Sequence, residues 1–102
     1  MSAATPAGND AATLTANPNP IPLNGATYGT TTVSWTAPST VQYVEVRVGS
    51  PSGALFALGT ASGSAATGAW VSDGLMLFLQ DVTGGKALTS INTLAILILH
   101  TM

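Results

Sequence analysis

Residues 41–48 read VQYVEVRV, and their period of two constrains the chain more than any other feature. A β-strand sends successive side chains to opposite faces. Val44, Val46 and Val48 therefore share one face, and Tyr43, Glu45 and Arg47 share the other. Such alternation marks a strand with one buried and one wet side. A helix would need apolar residues at i, i+3, i+4 and i+7, and no stretch of the chain sustains that spacing. Elsewhere, short apolar runs are broken by Gly, Pro, Asn or Ser every 8 to 15 residues. Fifteen threonines, eleven glycines and six prolines favour strands and turns in the same way. The expected fold is all-β: an antiparallel β-sandwich of about seven strands. One such domain over 12–102 would follow a flexible linker of small residues over 1–11.

Along the chain, a first strand is expected over Ala12–Ala16. Asn17-Pro-Asn-Pro20 interrupts it, since proline lacks the N–H a ladder needs. Ile21–Leu23 would resume that edge strand before the Asn24-Gly25 turn. Thr30–Thr36 is the second strand, with Val33 and Trp35 on one face, and Val41–Val48 the third. The Gly49–Gly53 hairpin leads into Ala54–Leu58. Residues 59–68 carry too little side chain to pack, so they read as a loop with at most a weak edge strand. Trp70–Ser72, Leu75–Val82 and Asn92–His100 complete the strands, with turns at Asp73-Gly74 and Thr83–Lys86.

Charge excludes several functions. Asp10, Glu45, Arg47, Asp73, Asp81 and Lys86 are the only six charged residues, 6% of the chain. An ordinary domain carries roughly 25%. Nucleic-acid affinity is mostly Lys and Arg neutralising phosphates, and two basic residues cannot supply it. The same shortage argues against an anionic membrane surface, and no apolar run approaches the roughly 20 residues of a spanning helix. Without cysteine there is no disulfide, thiolate nucleophile or Cys-ligated metal. His100 is the sole histidine, and serines without a base are not nucleophiles. Asp73 and Asp81 show no spacing that would set two carboxylates across a cleft. Asp73, Asp81 and Asn92 are a thin set for calcium. No catalytic activity, cofactor or metal is expected.

Thr31–Pro38 (TTVSWTAP) followed at once by a Val-rich strand resembles the second and third strands of fibronectin type III and related bacterial immunoglobulin-like domains. The proline-rich stretch over 16–22 is similar to the kinked first strand of such modules. Trp70-Val-Ser-Asp-Gly74 before an apolar strand and a Gly-Gly turn resembles their later half. The resemblance spans most of 12–100. One departure is the absence of the tyrosine expected near the penultimate strand for a tyrosine corner. The resemblance implies an immunoglobulin-like sandwich with Trp35 in its core. It also implies an accessory domain of a larger secreted or cell-surface bacterial protein, this chain being an excised piece without a signal peptide. Spacing, carbohydrate contact and adhesion are the roles such domains serve, and fold alone does not choose among them.

The topology that the resemblance implies sets residues 41–48, 75–82 and 92–100 in one sheet. Residues 75–80 and 94–99 carry apolar side chains on both faces: Leu75, Leu77 and Leu79 alternate with Met76, Phe78 and Gln80, and Ala95, Leu97 and Leu99 with Leu94, Ile96 and Ile98. A core takes only one face. If it takes the odd residues, Met76, Phe78, Ile96 and Ile98 lie outside beside Tyr43, Glu45 and Arg47. Burying each apolar chain is worth about 1.5–3 kcal/mol, so together they would mark an interface. The sequence therefore points to a non-catalytic interaction module, most simply a homodimer through a two-fold axis or a binder of a protein partner. Solvent-facing strands usually carry Thr, Lys or Glu, and Ile, Met and Phe there are also what a face engineered for binding would show. The bland alternatives are a loop or the N-terminal arm covering this face, or the opposite register.

A second reading is a carbohydrate-binding or spacer module of a secreted bacterial glycoside hydrolase or surface protein. Its polysaccharide contacts would be Trp70, Tyr28 and Tyr43, whose rings could stack on sugars. Core packing is the stronger expectation for Trp35 and for Trp70. On the carbohydrate reading, Trp70→Ala or Tyr43→Ala abolishes retention on insoluble polysaccharide in a pull-down without unfolding the domain. Unchanged retention would exclude that role for the ring.

Overall fold

Seven strands form among the described residues, six of them where the sequence places strands. The computed structural model describes residues 12–102, and the linker expected over 1–11 lies outside them. The strands are β1 (Thr13–Asn17), β2 (Thr32–Thr36), β3 (Val44–Val48), β4 (Ala54–Gly59), β5 (Ser62–Ala66), β6 (Leu75–Asp81) and β7 (Thr93–Leu99). They make two antiparallel sheets, ordered β1-β2-β5 and β4-β3-β6-β7. The result is an all-β sandwich.

Inward residues of both sheets meet in one core. Leu14, Val33 and Trp35 come from the three-stranded sheet, and Val44, Val46, Leu77, Leu79 and Leu99 from the four-stranded sheet. Val33, Val46, Leu77, Leu79 and Leu99 are fully buried. Leu75, Leu77 and Leu79 of β6 and Ala95, Leu97 and Leu99 of β7 thus face the core, and Met76, Phe78, Ile96 and Ile98 face outward. The outer face of the three-stranded sheet carries only short uncharged chains: Thr13, Thr15, Thr32, Ser34, Thr36, Ser62 and Ser64 are all exposed.

Four segments depart from the sequence reading, each for a local reason. Residues 62–66 are a regular edge strand rather than a loop, because the bulk they lack comes from across the ladder. Trp35 pairs with Gly63, and a Cβ built on Gly63 would lie 2.6 Å from the indole Cζ2. The indole N–H also donates to the Thr60 carbonyl at 3.1 Å. Glycine is needed here so that the ring can lie against the backbone. Ile21–Leu23 does not resume the first strand. It crosses to the other sheet, where Ile21 N–H donates to His100 O at 2.7 Å and Leu23 N–H to Met102 O at 3.0 Å, in a parallel bridge between Ile21 and Thr101.

Residues 41–43 lie outside β3, because its partner β6 ends at Asp81. The Thr83 hydroxyl takes over instead, accepting from the N–H groups of Gln42 at 2.9 Å and Tyr43 at 3.2 Å. Trp70–Ser72 contracts to a single antiparallel bridge between Gly29 and Val71.

Gly63→Val should force the indole out of its seat and cost about 1–3 kcal/mol, the usual range for overpacking. Ser64→Val, on the outward side of the same strand, should cost much less. Denaturant unfolding of the two variants checks this, and equal costs would contradict the packing role of Gly63.

Candidate interaction surface

The outer face of the four-stranded sheet is laid out in ranks by strand register. Leu55, Arg47, Phe78 and Ile96 form one rank across β4, β3, β6 and β7, and Leu58, Glu45, Gln80 and Thr93 form the next. Met76 and Ile98 pair beyond them. Of the seven residues expected on one surface, Glu45, Arg47, Met76, Phe78, Ile96 and Ile98 therefore lie on one side of this sheet, and Tyr43, just before β3, shares a cleft with Glu45.

Their exposure differs from the expectation. Ile96 is 54% exposed, Ile98 45% and Tyr43 57%, whereas Phe78 is only 8% exposed and Met76 is half-buried. Phe78 is thus corrected from an exposed contact to a covered one. It sits in the interior of the sheet, and its cleft is also lined by Pro51 of the β3–β4 hairpin and Ser90 of the β6–β7 connection. That connection, residues 82–92, folds back onto the outer face and contains two short 3-10 turns, Thr83–Gly85 and Ser90–Asn92.

Two neighbouring side chains of β6 hold the connection down. Gln80 points outward yet is fully buried. Its amide Nε2 donates to the Thr89 carbonyl at 2.9 Å, and its Oε1 accepts from the Thr93 hydroxyl. Asp81 is 6% exposed, accepts from the Thr83 N–H at 3.0 Å, and pairs with Lys86 Nζ at 2.7 Å. Burial pushes the Asp81 carboxyl up. The hydrogen bonds from Lys86 and Thr83, with the Lys86 charge, outweigh it, so the group titrates below the ordinary carboxylate value of 3.8. The bond between Asp81, which ends its strand, and nearby backbone is what its position in the sequence leads one to expect; the Gln80 latch and the Lys86 pair have no signal there.

Glu45 and Arg47 form an ion pair along β3, and Arg47 Nη1 also reaches the Gly53 carbonyl at 3.1 Å. This pair separates two exposed apolar groups on the outer face. Ile96 and Ile98 lie on β7, and Leu55 and Leu58 on β4, at 47% and 68% exposure. The two leucines escaped sequence reading because strict alternation sets Leu58 beside Phe56. A bulge in the β3–β4 ladder lets both leucines face out, while Phe56 packs against the core.

Backbone at both edges of this sheet is protected. β4 carries the bulge at Phe56, and β7 carries another at Leu94; bulges discourage further strand pairing. Asn19 covers the end of β7, donating to Ile98 O at 3.2 Å and accepting from His100 N–H at 2.9 Å.

The aromatic candidates for carbohydrate do not converge. Tyr43 lines a cleft with Glu45, Leu58 and Gly84-Gly85. Trp70, 38% exposed, lines a different one beside Leu55 and packs edge-to-face on Phe56 with centroids 5.5 Å apart. Tyr28 lines neither. Among the described residues the remaining ionic groups lie together: Asp73 accepts from the Thr101 N–H at 3.0 Å and lies 3.5 Å from His100 Nδ1. The chain matches no family model, no curated protein and no solved structure.

A carboxyl whose folded pKa is depressed adds stability that is fully present above its unfolded pKa and is lost as pH falls through the folded value. Wild type should therefore lose this contribution below about pH 4. Asp81→Asn should be roughly 1–2 kcal/mol less stable at neutral pH, Lys86 being half exposed and its charge partly screened. The gap between the two proteins should close as the pH drops. Urea midpoints measured across the acid range check both points, and a gap that widened in acid would contradict them.

Proposed function

We propose that this domain is a non-catalytic interaction module of immunoglobulin-like type that pairs with a second copy of itself through the outer face of the four-stranded sheet. The observation that carries this reading is the exposure of Ile96, Ile98, Leu55 and Leu58 on one sheet face. Exposed apolar groups gathered on one face favour an interface, and neither β4 nor β7 carries a charge. The strand order, with the first, second and fifth strands in one sheet and the remaining four in the other, supports the immunoglobulin-like assignment.

Charge supports a second copy as the partner. Glu45 and Arg47 lie in adjacent ranks on β3. A two-fold axis across the strands and between those ranks would set each against its opposite in the partner, and the same axis would set Leu58 over Leu55. The protected edges of the sheet favour a contact through side chains over strand-to-strand pairing. Such a module fits an accessory domain of a larger extracellular protein, where pairing would bring two host molecules together.

Sedimentation equilibrium across a wide concentration range tests this. The domain should shift from monomer to dimer with concentration. The double variant Ile96→Thr, Ile98→Thr and the single variant Leu58→Thr should each raise the dissociation constant at least about tenfold, the equivalent of 1.4 kcal/mol, with circular dichroism unchanged. Phe78 is left intact because its burial makes it a folding residue. A monomer at every concentration would overturn the reading.

A further inference from the structure

Asn24-Gly25 is a turn left in the open. Both residues are exposed, and both have positive φ, 54° at Asn24 and 89° at Gly25. That geometry suits Asn-Gly because asparagine tolerates the left-handed region and glycine has no Cβ to clash. One hydrogen bond closes the turn, from Ala26 N–H to Leu23 O at 3.0 Å. No atom beyond Gly25 and its two chain neighbours comes within 4 Å of the point where a Gly25 Cβ would lie. The geometry points to Asn24 as a site of spontaneous deamidation, a covalent modification that needs only water.

The Gly25 backbone nitrogen forms a bond to Asn24 Cγ, and the Cγ–Nδ2 bond breaks. Ammonia leaves with the proton that the Gly25 nitrogen gives up, and a five-membered succinimide remains. Water then adds to either imide carbonyl and breaks its bond to nitrogen. One route gives aspartate and the other isoaspartate, in which the main chain runs through the former side chain. Nothing is oxidised or reduced. Glycine is the successor that obstructs this attack least, having no side chain beside the attacking nitrogen.

Other described asparagines are poorer candidates. Asn17 and Asn19 precede prolines, whose nitrogen has no proton to give up. Asn92 precedes the β-branched Thr93, and its amide is held by the Ala87 carbonyl at 2.8 Å.

Position gives the modification a consequence. Leu23, which accepts the turn bond, is also the residue whose N–H reaches Met102 O. It ends the segment that lies along the tail of β7. Isoaspartate adds a backbone methylene directly after Leu23, so the turn bond to Ala26 cannot keep its geometry. It also adds a seventh charge to a chain that has six.

The test incubates the intact domain at mildly alkaline pH and maps its peptides by mass spectrometry, with enzymatic methylation to report isoaspartate. The amide-to-acid mass change should appear at Asn24 before Asn92, with isoaspartate among the products. Asn24→Gln should remove the change, and Gly25→Ala should slow it at least about tenfold. Hydrogen exchange at Leu23 and Met102 should quicken in the aged protein and not in aged Asn24→Gln. An unmodified Asn24 after the other asparagines have reacted, or aspartate formed with no isoaspartate, would overturn the assignment. Unchanged exchange in the modified protein would overturn its effect on the segment along the tail of β7.

Discussion

A β-strand has two faces, and a two-layer sandwich can bury only one of each. In this molecule that limit falls on β6 and β7, whose side chains are apolar on both sides. Their inner residues, Leu77, Leu79 and Leu99, form the centre of the core. The outer ones must be covered by something else or left in water. β6, an interior strand, is covered: the 82–92 connection returns over it, and Phe78 and Gln80 end up buried on the outside of the sheet. Among the described residues, β7, at the edge, is covered at its far end by Asn19 and Ile21. Ile96 and Ile98 stay exposed, so the candidate surface is the part of a two-sided apolar pair that the described residues leave uncovered.

Covering by a loop has a polar cost, and the two latches offset it. A connection laid on an apolar face must satisfy its own carbonyls and N–H groups away from water. The Gln80 amide takes the Thr89 carbonyl, and the Asp81 carboxylate takes the Thr83 N–H and the Lys86 ammonium. Every buried side-chain polar atom among the described residues finds a partner. Few charges are present, and those on the strands are committed locally: Glu45 to Arg47 and Asp81 to Lys86. The outer face is therefore apolar at its two margins, with a neutralised ion pair between them.

Much of this was legible in the chain. Alternation in 32–36 and 41–48 located two strands and their inward residues, because a period of two has no other simple structural reading. Trp35 could be assigned to the core from its place beside Val33. The small-residue run over 59–68 was misjudged for a definite reason. Its packing material belongs to a residue roughly 28 positions earlier in the chain, and propensity counts only what a segment carries itself. Leu55 and Leu58 were missed because one bulge breaks the period that sequence reading relies on.

By itself, then, the sequence determined the class of fold, the inward residues of the strands holding Val33, Trp35, Val44 and Val46, and the side on which Tyr43, Glu45 and Arg47 would stand; which face of the two-sided strands holding Ile96 and Ile98 turns outward it left open. These follow from local geometry, in which each side chain's direction is set by its neighbours along the strand. Only the tertiary structure decided which outward residues would remain exposed. Phe78 and Ile96 stand side by side in one rank and point the same way, yet one is buried and the other is not. Exposure depends on what arrives from elsewhere in the chain: a hairpin bearing Pro51, a connection latched by Gln80, a segment pinned by Asn19. Those meetings are set by contacts far apart in sequence, which no local pattern encodes.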